Sequence, residues 1–146
     1  MKKYFVLIFV FIFTKFNCQS QSRIIEGRVI SEQLETLPGV FIFIDDSLIV
    51  GMSDIAGFFK VEIPSSENLI LFKGVGIMPT FIQLEDQCNK IEVVIFLSES
   101  YDFARPTSVE RKKKNRINQR YKIHNQAYKR ELFENDSPCY TRVWIQ

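Results

Sequence analysis

Between Arg23 and about Ser98 short apolar runs alternate with turn residues. In RIIEGRVIS, Ile25, Gly27 and Val29 share one side of an extended chain and Glu26 and Arg28 take the other, the period of two expected of a half-buried strand. VFIFI (40–44) is apolar at every position, which predicts a strand buried on both sides or inside a sandwich core. DDS (45–47) turns the chain into LIVGM. In FFKVEI, Phe59, Val61 and Ile63 alternate against Phe58, Lys60 and Glu62. LILFKGVG, TFIQLE and KIEVVIFL bring the total to about seven strands at roughly ten-residue spacing, the signature of an antiparallel sandwich or barrel. This register predicts an inward set of Ile25, Val29, Val40, Ile42, Phe59, Val61, Ile63, Phe72 and Val93.

The turns between these runs have their own chemistry. In LPGV, Pro38 presets φ and Gly39 is free to take a positive φ. GMSDIAGFF (51–59) predicts a hairpin: Asp54 accepts from the backbone two residues on, Gly57 supplies the left-handed position, and Phe58 and Phe59 re-enter the sheet one ring out and one in. Ser53, Asp54, Gly57 and Phe59 are its marker residues.

The composition changes after residue 98. Residues 99–107, with Pro106, form a linker, and 108–146 hold a basic helix and a C-terminal strand. The helix is expected over about 108–133, capped by Thr107 or Ser108, with Glu110 in its first turn. Ile117, Tyr121, His124 and Tyr128 fall on one narrow seam. NDSP (135–138) ends the helix, and CYTRVWIQ alternates as a last strand.

The N-terminus has a different pattern. Lys2 and Lys3 precede an apolar run of about ten residues (4–13), the length of a secretory h-region and short of the roughly 20 residues a bilayer span needs. Residues 1–20 are therefore expected to be a signal peptide, with small residues at Cys18 and Ser20 placing cleavage before Gln21. Cys18 offers a second route, lipoprotein-type cleavage before the cysteine and its lipidation, although Lys15, Phe16 and Asn17 match that signal poorly. Export leads to the periplasm, to the outer membrane if the chain is lipidated, or to the extracellular space. Such compartments are oxidising, and Cys88 and Cys139 form an even pair that can be joined there.

Charge sharpens the division of the chain. From Arg23 to Ser100 there are 5 Lys/Arg against 12 Asp/Glu; from Tyr101 to Gln146 there are 11 against 5. An acidic sandwich and a basic tail attract each other, but exposed ion pairs are weak and screened by salt, so docking is expected to rest mainly on Ile117, Tyr121 and Tyr128, with the Tyr121–Phe133 end packed on the sandwich. Arg111, Lys112, Lys113, Lys114 and Arg116 are expected to stay solvated and to meet an anionic partner or membrane surface. Export argues against nucleic acid as that partner.

The sequence offers little for catalysis. With a single histidine, the chain lacks the ligand set of a zinc carboxypeptidase. His124 with a serine and an aspartate, or with Cys139, is the remaining hydrolase option, and no nucleophile-elbow motif accompanies it. Asp45, Asp46 and Asp54 lie on turns, without the spacing of a calcium loop. No phosphate-binding glycine motif is present, and no cofactor is expected.

The order I-x-G-x-V, LPGV-x-I-x-I, G-x-S-D-x-x-G-x-F resembles the carboxypeptidase-like regulatory domain family. Ile25, Gly27, Val29, Leu37, Pro38, Gly39, Val40, Ile42, Ile44, Gly51, Ser53, Asp54, Gly57 and Phe59 carry the resemblance. Ser53 stands where the family usually has Thr, and Ile77 follows Gly76 where Tyr is common. The resemblance covers about Arg23 to Leu97, half of the chain, and implies for 23–98 an all-β, seven-stranded Greek-key β-sandwich of transthyretin-like fold, here with a C-terminal basic α-helical extension. It also implies a small, non-enzymatic cell-envelope module, an accessory that binds an envelope protein or a glycan. The competing expectation is a hydrolase with an unrecognised site involving His124 and Cys139.

Overall fold

The computed structural model describes residues 21–45, 47–85, 87–100 and 105–143. The expected signal segment 1–20 with Cys18, together with Asp46, lies outside the described residues. Strands β1 (Ser22–Ser31), β2 (Phe41–Ile44), β3 (Leu48–Met52), β4 (Phe58–Pro64), β5 (Leu69–Lys73), β6 (Thr80–Leu84) and β7 (Lys90–Ile95) precede helices α1 (Pro106–Asn118) and α2 (Arg120–Lys129) and strand β8 (Tyr140–Val143).

The strands form two sheets, β4-β1-β7 and β3-β2-β5-β6-β8. Both contribute to one apolar core, and all nine residues expected to point inward lie in it. Phe59 meets Phe72 edge-on across this core, with ring centroids 5.7 Å apart. The pairing is mostly antiparallel, but β1 runs parallel to β7, contrary to a purely antiparallel expectation. These strands are distant in sequence, so no tight turn constrains their direction.

A second cluster makes the fold three-layered. Ile30, Val94 and Phe96 project from the other face of the small sheet and are buried against Ile117, Ile123, Ala127 and Phe133. The helices thus cover β1 and β7, and β8 extends the larger sheet by pairing with β6 from Phe81↔Val143 to Leu84↔Tyr140.

Several local expectations are corrected. Of the two expectations for VFIFI, burial on both sides fails and a place in the sandwich core holds: Val40, Ile42 and Ile44 are buried in the core while Phe41 is 40% exposed. The 51–59 stretch is not a hairpin within a sheet. β3 pairs with β2 and β4 pairs with β1, so the turn carries the chain from one sheet to the other. The helix begins at Pro106 with Arg105 as its cap, and neither Thr107 nor Ser108 caps it; the Ser108 hydroxyl donates to the Arg105 carbonyl. Its first turn has no acidic residue, so Glu110 lies beyond it. The helix is also interrupted at Gln119, whose N–H bonds the Arg116 carbonyl. Beyond that break Ile123, His124 and Ala127 face inward, whereas Tyr121 and Tyr128 stay 53% and 43% exposed. The aliphatic side chains take the buried positions and the tyrosines keep their hydroxyls near water.

Candidate functional site

The inter-sheet corner is built from the residues that made the sequence motif. Asp54 Oδ1 accepts from Ala56 N at 2.9 Å and Phe58 N at 2.8 Å. Ser53 is buried; its hydroxyl accepts from Val40 N and donates to the Leu37 carbonyl, tying the corner to the LPGV turn. Gly57 has φ +79°, and its carbonyl accepts from Val29 N. A Cβ there would lie 2.4 Å from the Val29 oxygen, so both the conformation and the close approach to β1 require glycine. These side chains are spent on the fold.

The basic helix divides into an anchoring side and a solvent side. Arg116 is half-buried, ion-paired to Glu32 and, at 3.0 Å, to Glu99; it also donates to the Leu97 carbonyl. Its place in the expected solvated contact surface is therefore corrected: it fastens α1 to the small sheet beside buried Ile117. Lys113 is half-buried and pairs with Glu110 at 3.6 Å. Arg111, Lys112 and Lys114 are exposed. Three cations of α1 are thus exposed on a helix that Arg116 and Ile117 hold in place.

A third cluster lies where the chain returns from α2 to β8. Glu92 projects from β7 and is buried, although it sits in a strand of Ile and Val. Its carboxylate accepts from Glu134 N, from Asn135 N at 3.0 Å and from Asn135 Nδ2 at 3.2 Å. His124 Nε2 lies 3.1 Å from the Asn135 carbonyl oxygen, so Nε2 must carry the proton. Nδ1 is then an unprotonated acceptor, buried without a partner. Burial pushes the His124 pKa below its ordinary value of 6.5, opposed by the bond to Asn135 and by the Glu92 and Asp136 charges. Burial likewise raises the Tyr140 pKa and lowers that of Arg142 to about 10. Lys90 pairs with Glu134, and both line a cavity of about 500 Å³ whose wall includes the disulfide Cys88–Cys139.

The expected thiol pair is joined, with Cα atoms 5.9 Å apart. This removes the catalytic pairing of His124 with Cys139: the sulfur is already bonded, and the imidazole proton is given to Asn135. Among the described residues no group of three His, Cys, Asp or Glu side chains is placed to hold a metal ion, and no helix is long and apolar enough to cross a membrane. Glu92, Asn135 and the Glu32–Arg116–Glu99 arrangement were not singled out in the sequence. The one available signal was a lone carboxylate inside KIEVVIF.

No family model and no curated protein matches the chain.

Proposed function

We propose that the chain is a non-enzymatic cell-envelope module: a seven-stranded Greek-key sandwich of transthyretin type, related to the carboxypeptidase-like regulatory domains and extended by a basic helical tail. The LPGV and S-D-x-x-G-x-F motifs support that reading, as do seven strands in two sheets over 22–95. The N-terminal pattern supports export to the periplasm, outer membrane or extracellular space. On this reading the module binds an anionic envelope partner, protein, glycan or membrane surface, through α1.

The observation that carries the proposal is the division of labour on α1. Arg116 is taken up by Glu32 and Glu99, while Arg111, Lys112 and Lys114 of the same helix stay exposed. Each basic residue near an anionic membrane contributes about 1 kcal/mol, so three give a salt-dependent attraction. The test replaces Arg111, Lys112 and Lys114 by Gln and measures binding to phosphatidylglycerol vesicles, with phosphatidylcholine vesicles as reference. Weaker binding at low salt with an unchanged melting temperature is expected. Unchanged binding to anionic vesicles and to envelope fractions would remove α1 as the contact surface.

A further inference from the structure

A groove of about 330 Å³ lies between α1 and the segment that joins β5 to β6. Glu110, Lys113, Lys114 and Ile117 line it at i, i+3, i+4 and i+7, so one face of α1 is turned toward it. Asn118 lines it from the end of the helix and Met78 from the joining segment. Both walls are held. Ile117 is buried in the helix-side cluster and Met78 packs against that cluster. Met78 N donates to the Phe96 carbonyl at 2.8 Å, and Arg116, next to Ile117, ties α1 to Glu32, Glu99 and the Leu97 carbonyl.

The lining is mostly apolar although three of its six residues are charged. The long stems of Glu110, Lys113 and Lys114 supply methylenes, and their charged ends reach toward water. Glu110 pairs with Lys113 at 3.6 Å, and Lys114 is exposed. Two lysines against one glutamate leave the rim with one net positive charge. We propose that this groove binds a free fatty acid, with the chain against Met78 and Ile117 and the carboxylate at Lys114 Nζ.

Size and charge select this occupant. The volume is that of a small-molecule site. The lining positions from Glu110 to Ile117 span roughly 10 Å along the helix axis, room for an extended chain and too little for a partner's helix or strand. An inorganic anion would use the cationic rim alone, and a neutral apolar molecule the floor alone; a fatty acid uses both. The chain of a bilayer lipid already lies in an apolar medium and gains nothing by moving into the groove, whereas a free chain leaves water. Each methylene that the groove encloses strengthens binding by up to about fourfold. Lys114 also belongs to the surface contact proposed above, but this site requires no bilayer.

Methyl NMR on the intact, oxidised chain tests this. The Met78 and Ile117 methyls report the groove, and those of Ile25 and Ile82 report the sandwich core. The ligands are hexanoate, octanoate and decanoate below their micelle concentrations, with octanol as the neutral match. The groove methyls are expected to shift while the core methyls stay, and octanoate should bind more tightly than hexanoate. Octanoate should also bind about threefold to fivefold more tightly than octanol, and Lys114→Gln should remove that preference. Groove methyls that stay still with all three acids would overturn the proposal, as would equal shifts in the core or an acid preference that survives Lys114→Gln. Groove shifts seen only with phosphatidylglycerol vesicles would assign the site to bilayer lipid and also overturn it. Vesicle binding by the Arg111, Lys112 and Lys114 variant decides the surface contact separately. Its loss, with groove methyls that ignore the acids, would overturn the fatty-acid site alone.

Discussion

Phe58 and Phe59 are neighbours with opposite fates. Phe59 is buried against Phe72, while Phe58 is 49% exposed with the Arg28 guanidinium 4.7 Å from its ring centroid. Phe59→Ala should cost about 3–5 kcal/mol in urea melts by leaving a core cavity, and Phe58→Ala less than about 1 kcal/mol. Equal losses would mean that the two rings share the core. Gly57 carries a separate demand. Gly57→Ala forces a left-handed alanine, roughly 1–2 kcal/mol by itself, and presses a methyl group on the Val29 carbonyl. The expected loss therefore exceeds about 2 kcal/mol, and a smaller one would show that β1 and the corner can part cheaply. Burial at this scale was legible because alternation in FFKVEI is local. The contact of Gly57 with β1 was not, since it depends on a strand nearly thirty residues earlier in the chain.

The elements of the tail follow different rules before and after Gln119. A continuous helix would have set Ile117, Tyr121, His124 and Tyr128 in one row; the break instead brings Ile123 and Ala127 under α2. The helical stretch was legible in the sequence, but its interruption was not: each side of the break is helix-compatible, and packing on Val94 and Phe96 decides the register. The same limit explains the corner between β3 and β4. Its turn residues predict a reversal of direction, but which sheet receives the outgoing strand depends on β1. Ile123→Ala should destabilise by about 2–4 kcal/mol, and Tyr128→Ala by no more than about 0.5 kcal/mol. Denaturant melts distinguish the two, and a reversed order would restore the tyrosine seam. Arg116→Gln should also destabilise, because Glu32 is mostly buried and would keep a charge without its partner. In contrast, the exposed cations of the same helix should be replaceable without loss of stability.

At the scale of the whole molecule, the question is what keeps an acidic sandwich and a basic tail together. The sequence shows the charge asymmetry but assigns docking mainly to apolar side chains, and the ion pairs described between the two parts are indeed few, those near the surface being weak and screened by salt. The apolar cluster under the helices does more, since Ile117, Ile123, Phe133 and Phe96 are all buried. The disulfide adds a covalent constraint at an informative point. Cys88 lies shortly after β6 and Cys139 immediately before β8, so the bond closes the end of the ladder where Leu84 pairs with Tyr140. Its two sulfurs are 51 residues apart in sequence. In the chain-entropy model, cross-linking a loop of that length removes about 4 kcal/mol of freedom from the unfolded chain. Replacing both cysteines by serine should then lower stability by ~4 kcal/mol, while β8 keeps its register through its ladder with β6. Protection of the Phe81 to Leu84 amides against exchange, measured beside the denaturant midpoint, separates the two effects. A lowered midpoint with the ladder amides still protected fits a bond that restrains the unfolded state. Loss of the ladder at an unchanged midpoint would mean that the bond holds β8 in place and that the sandwich and helices are stable without it.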